Sequence, residues 1–274
     1  MKYYNMLIAA ITFMAFFAPA LRANNSNLLD RGYYDMYNLN FHNAHQHFQE
    51  WEQQHPTDAM GPVSDAAAYL FSELSRLHIL QSDFLLNDNA YLNRKREEPD
   101  PQVKAKFEAD LSAAARLAEA TLKTSPDDKN AQLANVLRLG LASDYAALIE
   151  KQNVAALSEI KSATALAEKL LRDHPDCYDA HLAAGIQNYL LSLRPAPVRW
   201  LLRITGAQTD KEEGLANFRL VAEKGHYLQP YAKLLLAVAE LRAHHDDQAR
   251  RLLSELSTNF PQNRLYRDEL KKLS

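Results

Sequence analysis

The chain has 274 residues, of which 47% are hydrophobic and 24% charged, with a formal net charge of -3. This is enough apolar material for a packed core, which excludes a disordered chain. Only seven glycines occur, and long runs lack both glycine and proline, so helices are favoured over an all-β or Rossmann-type domain. The slight negative charge, without a dense basic run, argues against nucleic acid as a main partner.

Residues 1–20 have the layout of a secretory signal peptide. Lys2 precedes an apolar run from Met6 to Phe17, and the small residues Ala18-Pro19-Ala20 follow it. The run is shorter than the roughly 20 residues that cross a bilayer as a helix. We therefore expect cleavage, export to a bacterial periplasm or to the outside of the cell, and no stable membrane span in the mature chain. Residues 21–274 are expected to form one domain.

An internal repeat is marked by four prolines that follow long helical stretches. Twelve residues before each proline stands an alanine, and the positions eight and five before it are mostly apolar. These spacings of four and three place the side chains on one helix face. We expect the alanine to let a neighbouring helix approach closely and the proline to end the helix. The alanine–proline pairs are Ala44 and Pro56, Ala114 and Pro126, Ala163 and Pro175, and Ala249 and Pro261.

An Asp or Asn follows each proline within two residues, where it could cap the next helix. The predicted caps are Asp58, Asp127, Asp176 and Asn263.

This pattern resembles the tetratricopeptide repeat, a helix–turn–helix unit of about 34 residues. The stretch Phe41–Pro56, "FHNAHQHFQEWEQQHP", is similar to the family's second helix, and Gly32 and Gly185 fall where its first helix places a glycine. The proline intervals of 70, 49 and 86 residues depart from the family period, and the first-helix tryptophan is missing. The resemblance implies an all-α, right-handed α-α superhelix of about five hairpins, with insertions.

The helical segments can be paired along the chain. We expect hairpins over 26–55, over 62–80 with 102–125, over 129–174 with a break near 151–153, over 178–193 with 209–224, and over 229–260, then a short helix from Arg264. A polar connection precedes Pro101. The prolines at 195 and 197 should end a helix, and Val198–Ile204 should form an extra turn or helix.

Three groups of possible metal ligands are better explained by helix corners and polar surfaces. In "HPDCYDAH" (174–181) Pro175 stops a helix, and the ligands straddle a corner instead of sharing a face. The other two groups are His42, His45 and His47, and the stretch 244–247. No nucleophile elbow, phosphate loop or zinc-protease motif occurs. The sequence predicts no metal, no cofactor and no enzyme, and the lone Cys177 cannot form an intramolecular disulfide.

In the tetratricopeptide family, the first helix of each unit forms the concave surface. If the corresponding positions of this chain form the same surface, the resemblance implies that its lining is unusually apolar and aromatic. We therefore expect partner or ligand binding at Tyr33, Met36, Tyr37, Phe71, Leu137, Ile186, Tyr189 and Tyr231.

Two readings of this lining stay open. It could be core, filled by the chain itself, or an apolar channel that accepts a partner. The function expected is a scaffold that binds a protein or peptide partner, which could be associated with the cell envelope. The alternative is a binding protein for a small apolar or lipid-like ligand.

Overall fold

The computed structural model describes residues 27–80, 98–194 and 206–273, together with residues 198, 200, 202 and 204. The predicted signal peptide and most of the polar connection before Pro101 lie outside these residues. Across the described ranges the chain forms eleven α-helices and no strand, which confirms the all-α class. The helices are α1 Leu28–Tyr37, α2 Phe41–Gln54, α3 Met60–Arg76, α4 Pro101–Thr124, α5 Lys129–Asp144, α6 Asn153–Asp173, α7 His181–Ser192, α8 Lys211–Lys224, α9 Gln229–Arg242, α10 Asp246–Asn259 and α11 Arg264–Lys272.

Each helix packs mainly on its neighbours in the chain. The pairs α1–α2, α3–α4, α5–α6, α7–α8 and α9–α10 form hairpins, and the second helix of each hairpin also packs on the first helix of the next. Helix α11 closes the array against α10. A π-helical turn at Tyr145–Ile149 and a positive φ of 57° at Lys151 separate α5 from α6, next to the predicted break.

The four proline corners share one geometry. At the first corner, His55 donates its backbone N–H to Trp51 over 2.8 Å, and Asp58 donates to His55 over 3.0 Å. The same two bonds recur at the other three prolines. Ala44, Ala114, Ala163 and Ala249 are at most 1% exposed. The repeat read from the sequence therefore corresponds to real helix contacts and real corners.

A fifth corner follows the same pattern without a proline. In α8, Gly214, Phe218 and Val221 stand twelve, eight and five residues before His226, and all three are buried. Gly225 donates its backbone N–H to Val221 over 2.8 Å, as the residue before each proline does elsewhere. A search anchored on prolines misses this unit, although the spacing is present in the sequence.

The predicted cap is correct at one of the four corners, where Asn263 precedes α11 and accepts a hydrogen bond from the Leu265 backbone at 3.0 Å. At the first corner the N-cap position of α3 is Ala59, and Asp58, one residue earlier, accepts a hydrogen bond from the Met60 backbone at 2.9 Å. At the second corner the cap is Asp128 instead of Asp127, and it accepts a hydrogen bond from the Ala131 backbone. Asp176 does not cap a helix, since its carboxylate instead pairs with the Lys129 ammonium 2.8 Å away.

The two ends of the array are in contact. The Asn263 side-chain amide donates to the Tyr37 carbonyl over 2.8 Å, and the backbone N–H of Gln262 donates to the Asn38 side chain over 3.0 Å. The rings of Tyr37 and Phe260 lie 5.6 Å apart. Because α1 meets the corner between α10 and α11, the first helices of the hairpins face an interior space.

Among the described helices, none combines the length and the apolar character that crossing a bilayer requires.

Candidate functional site

A cavity lies where the first helices of the five hairpins converge. Its volume is about 60 Å³, and it is partly open to solvent. The cavity is therefore narrow. Seven of the eight predicted residues line it: Tyr33, Met36, Tyr37, Phe71, Leu137, Ile186 and Tyr231.

Tyr189, the eighth predicted residue, is part of the packed core between α7 and α8. Its ring lies 5.5 Å from that of Phe218, and its side chain is 3% exposed. A Cβ at Gly214 would stand 2.6 Å from the Tyr189 backbone nitrogen. This close crossing of α8 over α7 covers Tyr189, so it does not reach the cavity.

Aromatic rings join the walls of the cavity. The Phe71 ring lies 5.8 Å from that of Tyr37 and 5.3 Å from that of Tyr231, both in edge-to-face contact. Tyr33 stacks on Tyr227 at 4.7 Å. These contacts connect α1, α3 and α9, which are far apart in the sequence, and they fix the rings that face the cavity.

The hydroxyls of the three cavity tyrosines are all bonded within the protein. Tyr37 donates to the Tyr227 carbonyl over 2.9 Å, and Tyr33 accepts from the Ser64 hydroxyl at 3.1 Å. The Tyr231 hydroxyl donates to Asp144 over 3.2 Å. Burial raises the pKa of Tyr37 well above its usual value, so it stays neutral. What the tyrosines present to the cavity is thus ring surface.

Asp144, the last residue of α5, brings a carboxyl group to the cavity wall. Burial raises its pKa to about 7, and the hydrogen bond from Tyr231 acts in the opposite direction. Sequence reasoning did not select it. Its position in the sequence could have revealed it. Asp144 lies three residues after Leu141 and seven after Leu137, which places it on the face of α5 that lines the cavity.

Gly140 leaves a gap in the wall beside Asp144. A Cβ built on Gly140 would meet no atom within 4 Å, apart from its own helix backbone. The glycine lies one turn before Asp144 on α5, so both border the same part of the cavity. A methyl group added at this position would therefore displace no neighbour.

The stretch 174–181 forms a corner. His174 Nε2 lies 2.6 Å from the Asp127 carbonyl oxygen, and His181 Nδ1 lies 3.0 Å from the Asn217 side-chain oxygen. Burial raises the pKa of the Cys177 thiol to about 11. No group of three or more His, Cys, Asp or Glu side chains suited to a metal ion occurs within the described ranges.

Asp179 has a structural role that the sequence did not indicate. Its carboxylate, 5% exposed, accepts backbone N–H bonds from His226, Tyr227 and Leu228 at 2.8, 3.0 and 3.2 Å. These residues lead into α9, and Tyr227 contacts α1. Asp179 therefore holds the corner that brings the start of α9 against α1 at the cavity wall.

A second polar cluster lies between α2, α3 and α4. His45, predicted as surface, contacts the buried Asp65 carboxylate through Nδ1, and its ring lies 4.0 Å from that of Tyr69. Burial, followed by the charge of Asp65, raises the pKa values of Glu52 and Asp110 to about 7. His47 also has a carboxylate partner, at 3.4 Å, so these histidines are not a free polar surface.

No protein-family model matches this chain, and no curated protein matches it either. The resemblance to tetratricopeptide repeats therefore rests on the residue pattern, and membership of that family stays a prediction.

Proposed function

We propose that the protein binds a small, largely apolar molecule in the cavity between its first helices. The observation that carries this proposal is the lining: the side chains expected on the concave face converge on one narrow apolar cavity. A concave apolar site with few polar groups is the usual form of a small-ligand site.

The polar groups of the cavity restrict which kinds of small molecule could bind there. Because the tyrosine hydroxyls have partners in the protein, they do not select a polar molecule. The Asp144 carboxyl is the acceptor placed beside the gap at Gly140. A ligand with an apolar body and one hydrogen-bond donor, such as a hydroxyl or an amine, fits this arrangement best.

The alternative, recognition of a peptide by the concave face, has less support. Tyr33, Met36 and Tyr37 are at most 4% exposed, and the corner at Phe260 covers Tyr37. A peptide could contact these side chains only if the two ends of the array separated. We therefore place the small-ligand function first and the scaffold function second.

We also infer that the hairpins follow the right-handed path of a divergent tetratricopeptide array. The support is the recurrence of the alanine contact and the corner hydrogen bonds in successive hairpins. An experimental structure in which the hairpins advance with the opposite hand would contradict this inference.

Export is proposed from the sequence of residues 1–20. The support is the signal-peptide layout described above. N-terminal sequencing of the protein recovered from the envelope fraction tests it, with a first residue just after Ala20 expected and Met1 contradicting it.

Binding of xenon, an apolar probe small enough for this narrow cavity, tests the site by xenon NMR. Gly140→Leu should fill the cavity and weaken probe binding by about tenfold or more. Gly140→Ala is the matched control, because it changes the same backbone position but leaves most of the cavity empty. Equal probe affinity in the wild type and in Gly140→Leu would contradict the proposed site.

A further inference from the structure

Exposed apolar side chains are concentrated in one short part of the chain. Of the eight large hydrophobic residues that are exposed in the described ranges, five fall within 190–204. They are Leu190, Leu193, Val198, Trp200 and Ile204, and Trp200 is 67% exposed. Single exposed apolar residues need no explanation, but a local concentration that includes a tryptophan marks an interaction surface.

The helical spacing of these residues places Trp200 and Ile204 on the side that faces solvent. Residues 198, 200, 202 and 204 are helical, so Trp200 and Ile204, four apart, share one side of the helix. Their exposed fractions are 67% and 62%. Leu202, on the other side, is half-buried. Trp200 and Ile204 thus face away from the protein.

The surface continues into the cavity along α7. Ile186 lines the cavity, while Leu190 and Leu193 follow it at spacings of four and three residues and are exposed. These spacings keep the three side chains on one helix face. An apolar track therefore runs from the cavity wall to the exposed stretch.

The charge of the stretch is opposite to that of the whole protein. Between Asp179 and Asp210 the sequence contains three arginines, Arg194, Arg199 and Arg203, and no acidic residue, in a chain of net charge -3. Exposed Trp and aliphatic side chains combined with arginine are typical of segments that lie in a membrane interface. Basic residues add attraction to acidic lipid headgroups.

We propose that an exposed apolar surface docks the protein on a membrane that contains anionic lipids. This surface consists of Leu190, Leu193, Val198, Trp200 and Ile204. Trp200 and Ile204 enter the interfacial region of the bilayer, and the positive charge of the stretch attracts the headgroups. The docking does not depend on what the cavity holds. A lipid surface is favoured over a protein partner because the exposed side chains are apolar and the charged residues in the sequence between Asp179 and Asp210 are all arginines.

Vesicle flotation tests the proposal with the full protein. Vesicles of equal parts phosphatidylglycerol and phosphatidylcholine should bind the wild type about tenfold or more tightly than vesicles of phosphatidylcholine alone. The double variant Trp200→Ser/Ile204→Ser should lose about tenfold or more in binding to the anionic vesicles. Both side chains are exposed, so the variant should fold, which circular dichroism checks.

The matched control is Val154→Ser/Leu166→Ser, which removes two exposed apolar residues from α6. It should bind anionic vesicles as the wild type does. Gly140→Leu, which alters the cavity, should also bind them normally, so failure of the cavity proposal and failure of the docking proposal can be told apart.

Tryptophan fluorescence gives an independent measurement. The chain has two tryptophans, so Trp51→Phe leaves Trp200 as the single reporter, and its emission should shift to the blue with anionic vesicles. Unchanged emission, or equal vesicle binding by the wild type and the Trp200→Ser/Ile204→Ser variant, would overturn the proposal. So would lipid-free self-association that this variant abolishes, because the surface would then bind a second copy of the chain.

Discussion

Replacing glycine by alanine at Gly32 and at Gly140 should change stability in opposite directions. Both glycines lie within α-helices, where alanine is favoured over glycine by about 1 kcal/mol. At Gly140 the added Cβ meets open space. Gly140→Ala should therefore raise the free energy of unfolding by about 1 kcal/mol.

At Gly32 the same substitution meets a buried ring. The added Cβ would stand 2.2 Å from Cε1 of Phe48, whose side chain is 0% exposed and cannot turn away. Helices α1 and α2 must separate, and such overpacking costs about 1–3 kcal/mol. If overpacking costs about 3 kcal/mol and the higher helix propensity of alanine contributes about 1 kcal/mol, Gly32→Ala should lower the free energy of unfolding by about 2 kcal/mol.

Urea unfolding followed by circular dichroism measures both changes. The midpoints should move in opposite directions while the slope stays constant. Phe48→Leu should reduce the cost of Gly32→Ala, because the smaller side chain makes room for the methyl group. If Gly32→Ala is as stable as the wild type, the close contact between the helices of the first hairpin is wrong, and with it the explanation of the repeat.

Three further outcomes are expected from buried polar groups. Since burial and a neighbouring carboxylate raise the pKa values of Glu52 and Asp110 from 4.5 and 3.8 to about 7, the folded state holds more protons than the unfolded state between these values. Stability should therefore fall as pH rises from about 4 to about 7, and Asp110→Asn should flatten this dependence in thermal melts at several pH values. Asp179→Ala leaves three backbone N–H groups without their acceptor and should cost about 3 kcal/mol or more in urea unfolding, whereas a loss under about 1 kcal/mol would contradict the corner role. Cys177, buried and with a pKa raised to about 11, should react with a thiol reagent much more slowly in the folded protein than in urea, and fast reaction without urea would show that the corner is open.

Local spacing predicted the helices and corners because their causes lie within one turn or one hairpin. The alanine twelve residues before each proline contacts the neighbouring helix of its own hairpin. Ala44 and Pro56 therefore indicate a helix contact and a corner without the rest of the chain. The corner at His226 was missed because histidine stands where the other corners have proline, although Gly225 makes the same backbone hydrogen bond as the residues before those prolines.

The site was only partly predictable because its decisive contacts are distant in sequence. Asp144 meets Tyr231 across 87 positions, and Asn263 meets Tyr37 across 226. No spacing rule reaches so far, so neither the carboxyl in the cavity nor the contact between the two ends could be read from the sequence. Tyr189 was misplaced because the crossing of α8 depends on the fit at Gly214.

Native mass spectrometry of the protein purified from the cells that produce it naturally tests the cavity claim most directly. The wild type and Gly140→Ala should each carry one small molecule that is released on unfolding, and Gly140→Leu should not. A wild-type protein without any bound molecule, or a molecule retained equally by Gly140→Leu, would contradict ligand binding between the first helices.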